Sequence, residues 1–297
     1  MTGVGQDERT AAADTGATDD APITVVTTRA VRRRGESWTS RVVPPAVLGA
    51  ALIGLWYFIT YLVLDEGRRF LMRPPHDVLQ VGFFEWDNLK EMLDALLVTS
   101  RVALIGLAIS IVLGMLVAVA MSQTRTVERA VFPFMVMLQA IPILAITPLI
   151  GFWFKYGTNS RVIVCVIISL FPIIVNTLFG LQSADREMHD LFTLQHAGRL
   201  TRLRKLMFPA ALPAIFAGMR ISAGLSVIGA IVGDFFFGQG TPGIGQQLRK
   251  HASQLNGEQL FATVIVSCLL GVAVFLVFGW LQTLFTSKWH ESTGRTR

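Results

Sequence analysis

Charge is scarce in this chain: Asp, Glu, Lys and Arg make up 15% of its 297 residues, where a soluble domain carries about 25% to keep its surface hydrated. Cysteine is scarcer. Cys165 and Cys268 each sit inside an apolar stretch without metal-ligand spacing, which argues against a disulfide framework and leaves buried, inert thiols as the expectation. No G-x-x-x-x-G-K-[ST] occurs. The glycine-rich GQGTPGIG at 238–245 lacks the lysine and the strand-to-helix setting of a phosphate-cradling loop, so it reads as a turn-rich loop. An E-x-x-x-H starting at Glu187 fails because position 191 is leucine, and no His, Cys or carboxylate cluster has ligand spacing. A membrane-embedded enzyme would need paired acids or a His cluster facing a cavity, and neither is present.

What the chain has in abundance is apolar sequence, 52% by count with a mean hydropathy of +0.54. Crossing about 30 Å of hydrocarbon takes roughly 20 helical residues. Six segments qualify: 42–64, 95–121, 130–154, 162–181, 213–236 and 260–285. None alternates with period two as a barrel strand would, so the fold class expected is an all-α membrane protein of about six transmembrane helices. Prolines at 44, 45, 133, 142, 148, 172 and 213 are tolerable in a bundle, where neighbouring helices re-satisfy the freed backbone groups. Pro142 and Pro148 are expected to bend the third span toward a central pathway.

Residues 1–20 are Ala, Gly, Thr and Asp with almost nothing large and apolar, which predicts disorder. Five arginines (Arg29, Arg32, Arg33, Arg34, Arg41) precede the first apolar run, which reads as a signal anchor that stays in the membrane. Orientation follows from basic residues in loops. Segment 65–94 holds four basic residues against seven acidic ones and is assigned outside. Segment 182–207 holds five basic residues (Arg186, Arg199, Arg202, Arg204, Lys205) and the tail adds Lys288, Arg295 and Arg297. Both termini and 182–207 therefore fall in the cytoplasm. Lys155 and Arg161 flank a short turn that must then be external, against the trend. The net charge of +6 is explained by basic loops on anionic lipid, with no nucleic acid partner.

The stretch 185–220 is longer and more polar than a connection between spans needs. Within it Met188, Leu191, Phe192, Leu194, Leu200, Leu203, Leu206 and Met207 recur at helical intervals. This predicts an amphipathic helix pair ended by Pro209 and Pro213 at the membrane return. From pattern alone two readings stand: a helix laid into a partner's groove or one lying on the bilayer surface. Small residues in the second span (Gly106, Ser110, Gly114) and the fifth (Gly218, Ser222, Gly224, Ser226, Gly229, Gly233) suit either packing within the chain or the lining of a path or dimer seam. Gln139 and Asn176 can bond other helices or a polar cargo, and Asp234 is either an interfacial ion pair or part of a pathway. Arg101 and Arg220 read as snorkelling side chains. Phe152, Trp153 and Tyr156 read as an aromatic belt or a surface for flat cargo.

The phrase KLMFPAALPAIFAGMRIS resembles the segment closing the cytoplasmic coupling loop of type I ABC importer permeases. That loop carries Glu-Ala-Ala, a glycine six residues after the Glu, and Leu-Pro ending thirteen past the glycine. Aligned on Pro209, the Glu position is Asp190, the alanines are Leu191 and Phe192, and the glycine is His196; Ala197 and Arg199 match what often follows. LMRPPHDVL, QAIPILAITPLIGFWFKYG, FPIIVNTLFGLQSAD and LSVIGAIVGDFFFGQGTPGIG resemble the nitrate, sulfonate and taurine branch. The last two of these look closest to importers of riboflavin or the pyrimidine precursor of thiamine.

The resemblance implies a permease domain over 70–288, after a disordered basic cytoplasmic tail (1–40) and a first span with the start of an external segment (41–69), and before a second cytoplasmic tail (289–297). It implies a multi-pass protein of the cell inner membrane with no catalytic centre and no cofactor of its own. Two permease subunits, here two copies of this chain, would form the pathway. Each would dock a coupling helix (Met188, Asp190, Leu191, Phe192, Leu194, His196, Ala197, Gly198, Arg199) onto an ATPase subunit that holds ATP and Mg. An extracytoplasmic binding protein would deliver the solute. Gln139, Asn176, Ser222, Ser226 and Asp234 are the pathway candidates. A sulfonate, taurine or nitrate is the alternative cargo. An ion-coupled secondary transporter is a further alternative, thinly supported by Asp234 alone.

Overall fold

The computed structural model describes residues 38–290, with side chains from 42 to 285, and every regular element among them is helical. The tails expected at 1–40 and 289–297 lie outside the described residues, except that Trp38 onward and the last two positions to His290 belong to helices. The chain divides into two units, Met1–Ala50 and Ala51–Arg297. The described part of the first is helical throughout and forms the start of helix α1 (Trp38–Phe58), whose apolar run covers Val42–Val63. The second unit holds all the other elements.

In that second unit, the end of α1 packs with an irregular segment that includes the short helix α2 (Pro75–Leu79). Trp56 Nε1 donates to the Arg73 carbonyl at 3.0 Å, and Arg73 pairs with Glu258 at 2.9 Å. Helix α3 (Trp86–Gln123) has 38 residues, about 57 Å of helix, so it overshoots the predicted span 95–121 well beyond the bilayer. Its buried stripe, Ala95, Thr99, Val102, Gly106, Ser110 and Gly114, repeats every three or four residues, the period of one helix face. That stripe meets helix α6 (Thr158–Gln182). Gly106 lies against Cys165 and Gly114 against Ile173, so α3 and α6 run in the same direction.

Two parallel helices in sequence require a crossing between them. Helices α4 (Arg125–Ala140) and α5 (Ile143–Phe154) provide it, but they are bent by 97° at the break. The third span predicted for 130–154, expected to bend at Pro142 and Pro148, is an elbow that breaks before Pro142, while Pro148 stays inside helix α5. Pro142 supplies no N–H donor and disfavours helix at the residue before it, and Ile141 is extended at ψ 124°. At 1.5 Å per residue the two arms of ~24 and ~18 Å combine to roughly 28 Å, close to the hydrocarbon thickness.

Helix α9 (Phe208–Phe236) runs back along α6: Gly180 meets Ala211, Gly218 meets Asn176 and Gly229 meets Cys165. Without a side chain at 229, the helix backbones approach to contact, which in lipid is the main source of helix association. Hydroxyls thread the same hub. Ser110 Oγ and Ser169 Oγ are 2.8 Å apart, and Ser222 Oγ donates to the Ser169 carbonyl at 2.7 Å. Helix α11 (Gly257–His290) closes the bundle. Arg220 of α9 stacks on Phe275 there, 3.9 Å from its ring centre, so this arginine is held by a partner within the chain. Among the described residues, five helices are long and apolar enough to cross a membrane, and up to six crossings result if the α4–α5 elbow counts as one span.

Candidate functional site

Between α6 and α9 the chain forms helix α7 (Arg186–Leu194), a turn, and helix α8 (Arg199–Arg202). The turn is stabilised by two backbone bonds, His196 N to Thr193 O at 3.0 Å and Ala197 N to Phe192 O at 2.9 Å. With His196 at φ 51°, this is the helix-ending motif that usually places glycine in the left-handed region. His196, where the coupling-loop resemblance would place a glycine, has a left-handed backbone, and histidine is one of the non-glycine residue types more often found there. Arg202 Nη2 donates to Thr193 Oγ1 at 2.9 Å and fastens α8 to α7. His196→Gly is expected to hold or raise stability, whereas His196→Val should lower it by about 1–2 kcal/mol, as read by the melting of the purified protein.

The expectation that Pro209 and Pro213 end this helix pair is corrected. Residues 203–207 form a wide turn in which Phe208 N bonds the Leu203 carbonyl, and helix continues through both prolines into α9. The extra residue in such a turn relieves the clash between a proline ring and the carbonyl four residues back. The second arm of the hairpin, α8, and the fifth span are consequently one continuous helical rod from Arg199 to Phe236.

Of the apolar residues on α7, Met188, Leu191 and Leu194 are exposed, Leu194 at 79%, as is Leu200 on α8. Phe192, grouped with them from the sequence, is partly covered. Asp190, His196, Gly198 and Arg199 are exposed and Ala197 is partly so. An exposed stripe at i, i+3 and i+6 on a short polar helix offers one apolar face to a groove.

At the far end of α9, Asp234 and Arg161 form a buried ion pair of 2.8 Å, 2% and 1% exposed. Arg161 also donates to the carbonyls of Phe237, Gln239 and Thr241. Asp234 accepts from the backbone of Gly243 at 3.3 Å and of Gln246 at 2.9 Å. Thr99 of α3 takes the next N–H, Ile244, at 2.9 Å. Gly243 fits because a methyl there would meet Thr99 Oγ1 at 2.6 Å and Asp234 Oδ2 at 2.7 Å. Five charge-assisted bonds to backbone carbonyls and amides thereby fix the entry to helix α10 (Ile244–Gln254). Reading Arg161 as a loop charge missed this. The available signal was a lone arginine and a lone aspartate at the edges of two spans.

The remaining pathway candidates separate. Asn176 donates to the Pro172 carbonyl at 2.8 Å and packs on Gly218. Ser222 and Ser226 are buried, bonded to Ser169 and Ala223. Gln139 is exposed, two residues before the bend at Ile141. Helix α4 has no buried residue at all.

Comparison with known proteins agrees with this architecture. The family described as "Binding-protein-dependent transport system inner membrane component" matches residues 110–291. The formylaminopyrimidine transport permease protein ThiX of Halalkalibacterium halodurans is 38% identical over 63% of this chain and 74% of its own length. The riboflavin transport system permease protein RibX of Chloroflexus aurantiacus is 32% identical over 57% of this chain and 62% of its own. The putative aliphatic sulfonates transport permease protein SsuC of Bacillus subtilis is 23% identical over 80% and 83%. With five membrane-length apolar helices among the described residues, up to six crossings with the elbow, and a matched segment that runs from the middle of α3 past the end of α11, the chain belongs to the binding-protein-dependent inner-membrane component family and is the multi-pass permease subunit of an ABC importer.

Proposed function

We propose that the permease imports a heterocycle of the thiamine-pyrimidine or riboflavin class, driven by an ATPase that grips α7. The cargo reading is supported by the relatives named for formylaminopyrimidine and riboflavin, which are 38% and 32% identical, against 23% for the sulfonate permease. Sulfonate, taurine or nitrate is the second reading. The drive is carried by one observation: the exposed stripe Met188, Leu191 and Leu194 sits on a hairpin whose second arm, α8, runs on into the fifth span.

In this reading both termini and the α7 hairpin are cytoplasmic, two copies of the chain form the pathway, and two ATPase subunits hold the ATP and Mg. Closure of the ATPases moves α7. The rod from Arg199 to Phe236 carries that displacement across the membrane, and its tight contact with α6 moves the two together. The α4–α5 elbow, which buries little, is the part free to change position. Non-helical backbone at membrane depth is tolerated where it lines a water-filled cavity or is buried in protein, so the exposed bend beside Gln139 borders the path.

Proteoliposomes with the ATPase, the binding protein and internal ATP test this. Uptake of labelled riboflavin or formylaminopyrimidine is expected, and uptake of taurine or nitrate in their place would select the second cargo reading. Accumulation on a proton gradient without ATP would overturn the drive altogether. A cysteine at Gln139 is expected to react with a water-soluble thiol reagent and to be protected by cargo. Complete inertness would place the elbow away from the path.

A further inference from the structure

A cavity of about 860 Å³ opens at the α7 end of the bundle, and no role proposed so far uses it. The turn between α3 and α4 forms one wall, the ends of α6 and of the 203–207 turn another, and His189 of α7 lines it as well. One face of α4 grades through it. Arg125 and Arg129 come first, one turn apart, followed by Phe132 and Pro133 a turn deeper. Both arginines are exposed and neither is in an ion pair among the described residues. Glu128, the one acid in the lining, has an oxygen held by Gln182 Nε2 at 3.0 Å. Ser122, Gln123 and Thr124 add hydroxyl and amide groups at the polar end.

We propose that this cleft binds an anionic phospholipid of the cytoplasmic leaflet, with its phosphate on Arg125 and Arg129 and its acyl chains beside Phe132 and Pro133. Guanidinium groups match phosphate oxygens with paired N–H donors. Basic pockets between spans on the cytoplasmic side are suited to anionic headgroups. The polar-to-apolar gradient along α4 fits an amphiphile, whereas a soluble phosphate would have no use for the apolar half. Because His189 of the proposed docking helix shares the cleft, occupancy would brace α7 from the membrane side. The inference rests on the cytoplasmic placement of α7, which labelling of a cysteine at Gln195 from either side of the membrane tests separately.

The experiment uses the intact transporter in detergent, titrated with phosphatidylglycerol and, in parallel, phosphatidylcholine, with bound lipid counted by native mass spectrometry. Wild type is expected to retain phosphatidylglycerol selectively. The double variant Arg125→Gln, Arg129→Gln should bind it roughly twenty-fivefold more weakly, with each arginine contributing about fivefold, while Arg125→Lys, Arg129→Lys, which keeps the charge but not the paired donors, should fall between. The lysine variant also controls for folding. Undiminished retention in the glutamine variant, or equal binding of phosphatidylcholine, would overturn the proposal. So would displacement of the lipid by millimolar inorganic phosphate, which would make the site one for a soluble anion. Loss of the lipid whenever the ATPase is bound would assign the cleft to that protein.

Discussion

Leu194→Asp should leave the chain in the membrane and separate it from its ATPase. Leu194 is the most exposed apolar side chain on α7 and contacts little that the fold needs, so its replacement has small leverage on the bundle. In a docked complex it would lie in an apolar groove. Burying a leucine contributes about 1.5–3 kcal/mol, and burying an unpaired carboxylate in its place costs several more. At 1.4 kcal/mol per decade, affinity should fall by at least about a hundredfold. Co-purification and ATP-driven uptake should vanish together while the melting of the isolated permease stays unchanged. Leu191→Asp should behave alike. Phe192→Asp should also destabilise the hairpin, because Phe192 is partly covered. Normal co-purification of the Leu194 variant would remove α7 as the docking helix.

The second large effect is expected at the buried pair. Asp234→Ala leaves Arg161 at 1% exposure with carbonyl partners but no counter-charge. Removing one member of a buried pair costs about 3–5 kcal/mol. Melting of the detergent-solubilised protein should drop by roughly 10 °C, and protease should cut the 237–243 loop faster, since its amides lose their acceptor. Asp234→Asn should fall between, because it keeps one acceptor oxygen while its amide group faces N–H donors from Gly243 and Gln246. The double change Arg161→Met, Asp234→Leu should recover much of the stability but not the protease resistance of the loop, whose carbonyls still lack Arg161. A melt of Asp234→Ala equal to wild type would show that the pair contributes nothing to the fold.

Much of this architecture was legible along the chain, though unevenly. The apolar runs located the crossings because a stretch that must exclude water over 30 Å has few other compositions open to it. The helical spacing of Met188, Leu191 and Leu194 located the amphipathic helix. The prolines were harder. Pro142 broke its helix as expected, yet Pro209 and Pro213 did not, because a wide turn at 203–207 absorbed the strain one turn upstream. A proline removes a donor wherever it stands, but whether the helix stops depends on the turn before it. His196 was similar. Its identity departed from the expected glycine, and its left-handed backbone did not.

By itself, then, the sequence determined that this is a helical membrane protein, which segments cross, and which excursion between spans carries an amphipathic hairpin. These are properties of composition and period, local along the chain. Only the tertiary structure decided that Asp234 is matched by Arg161, 73 positions earlier, that Ser222 and Asn176 serve helix contacts, and that Gln139 stands at an exposed elbow. It also decided that α8 and the fifth span are one rod. A polar side chain's role depends on which group ends within 3 Å of it, and that distance is set by helix packing between residues far apart in the chain.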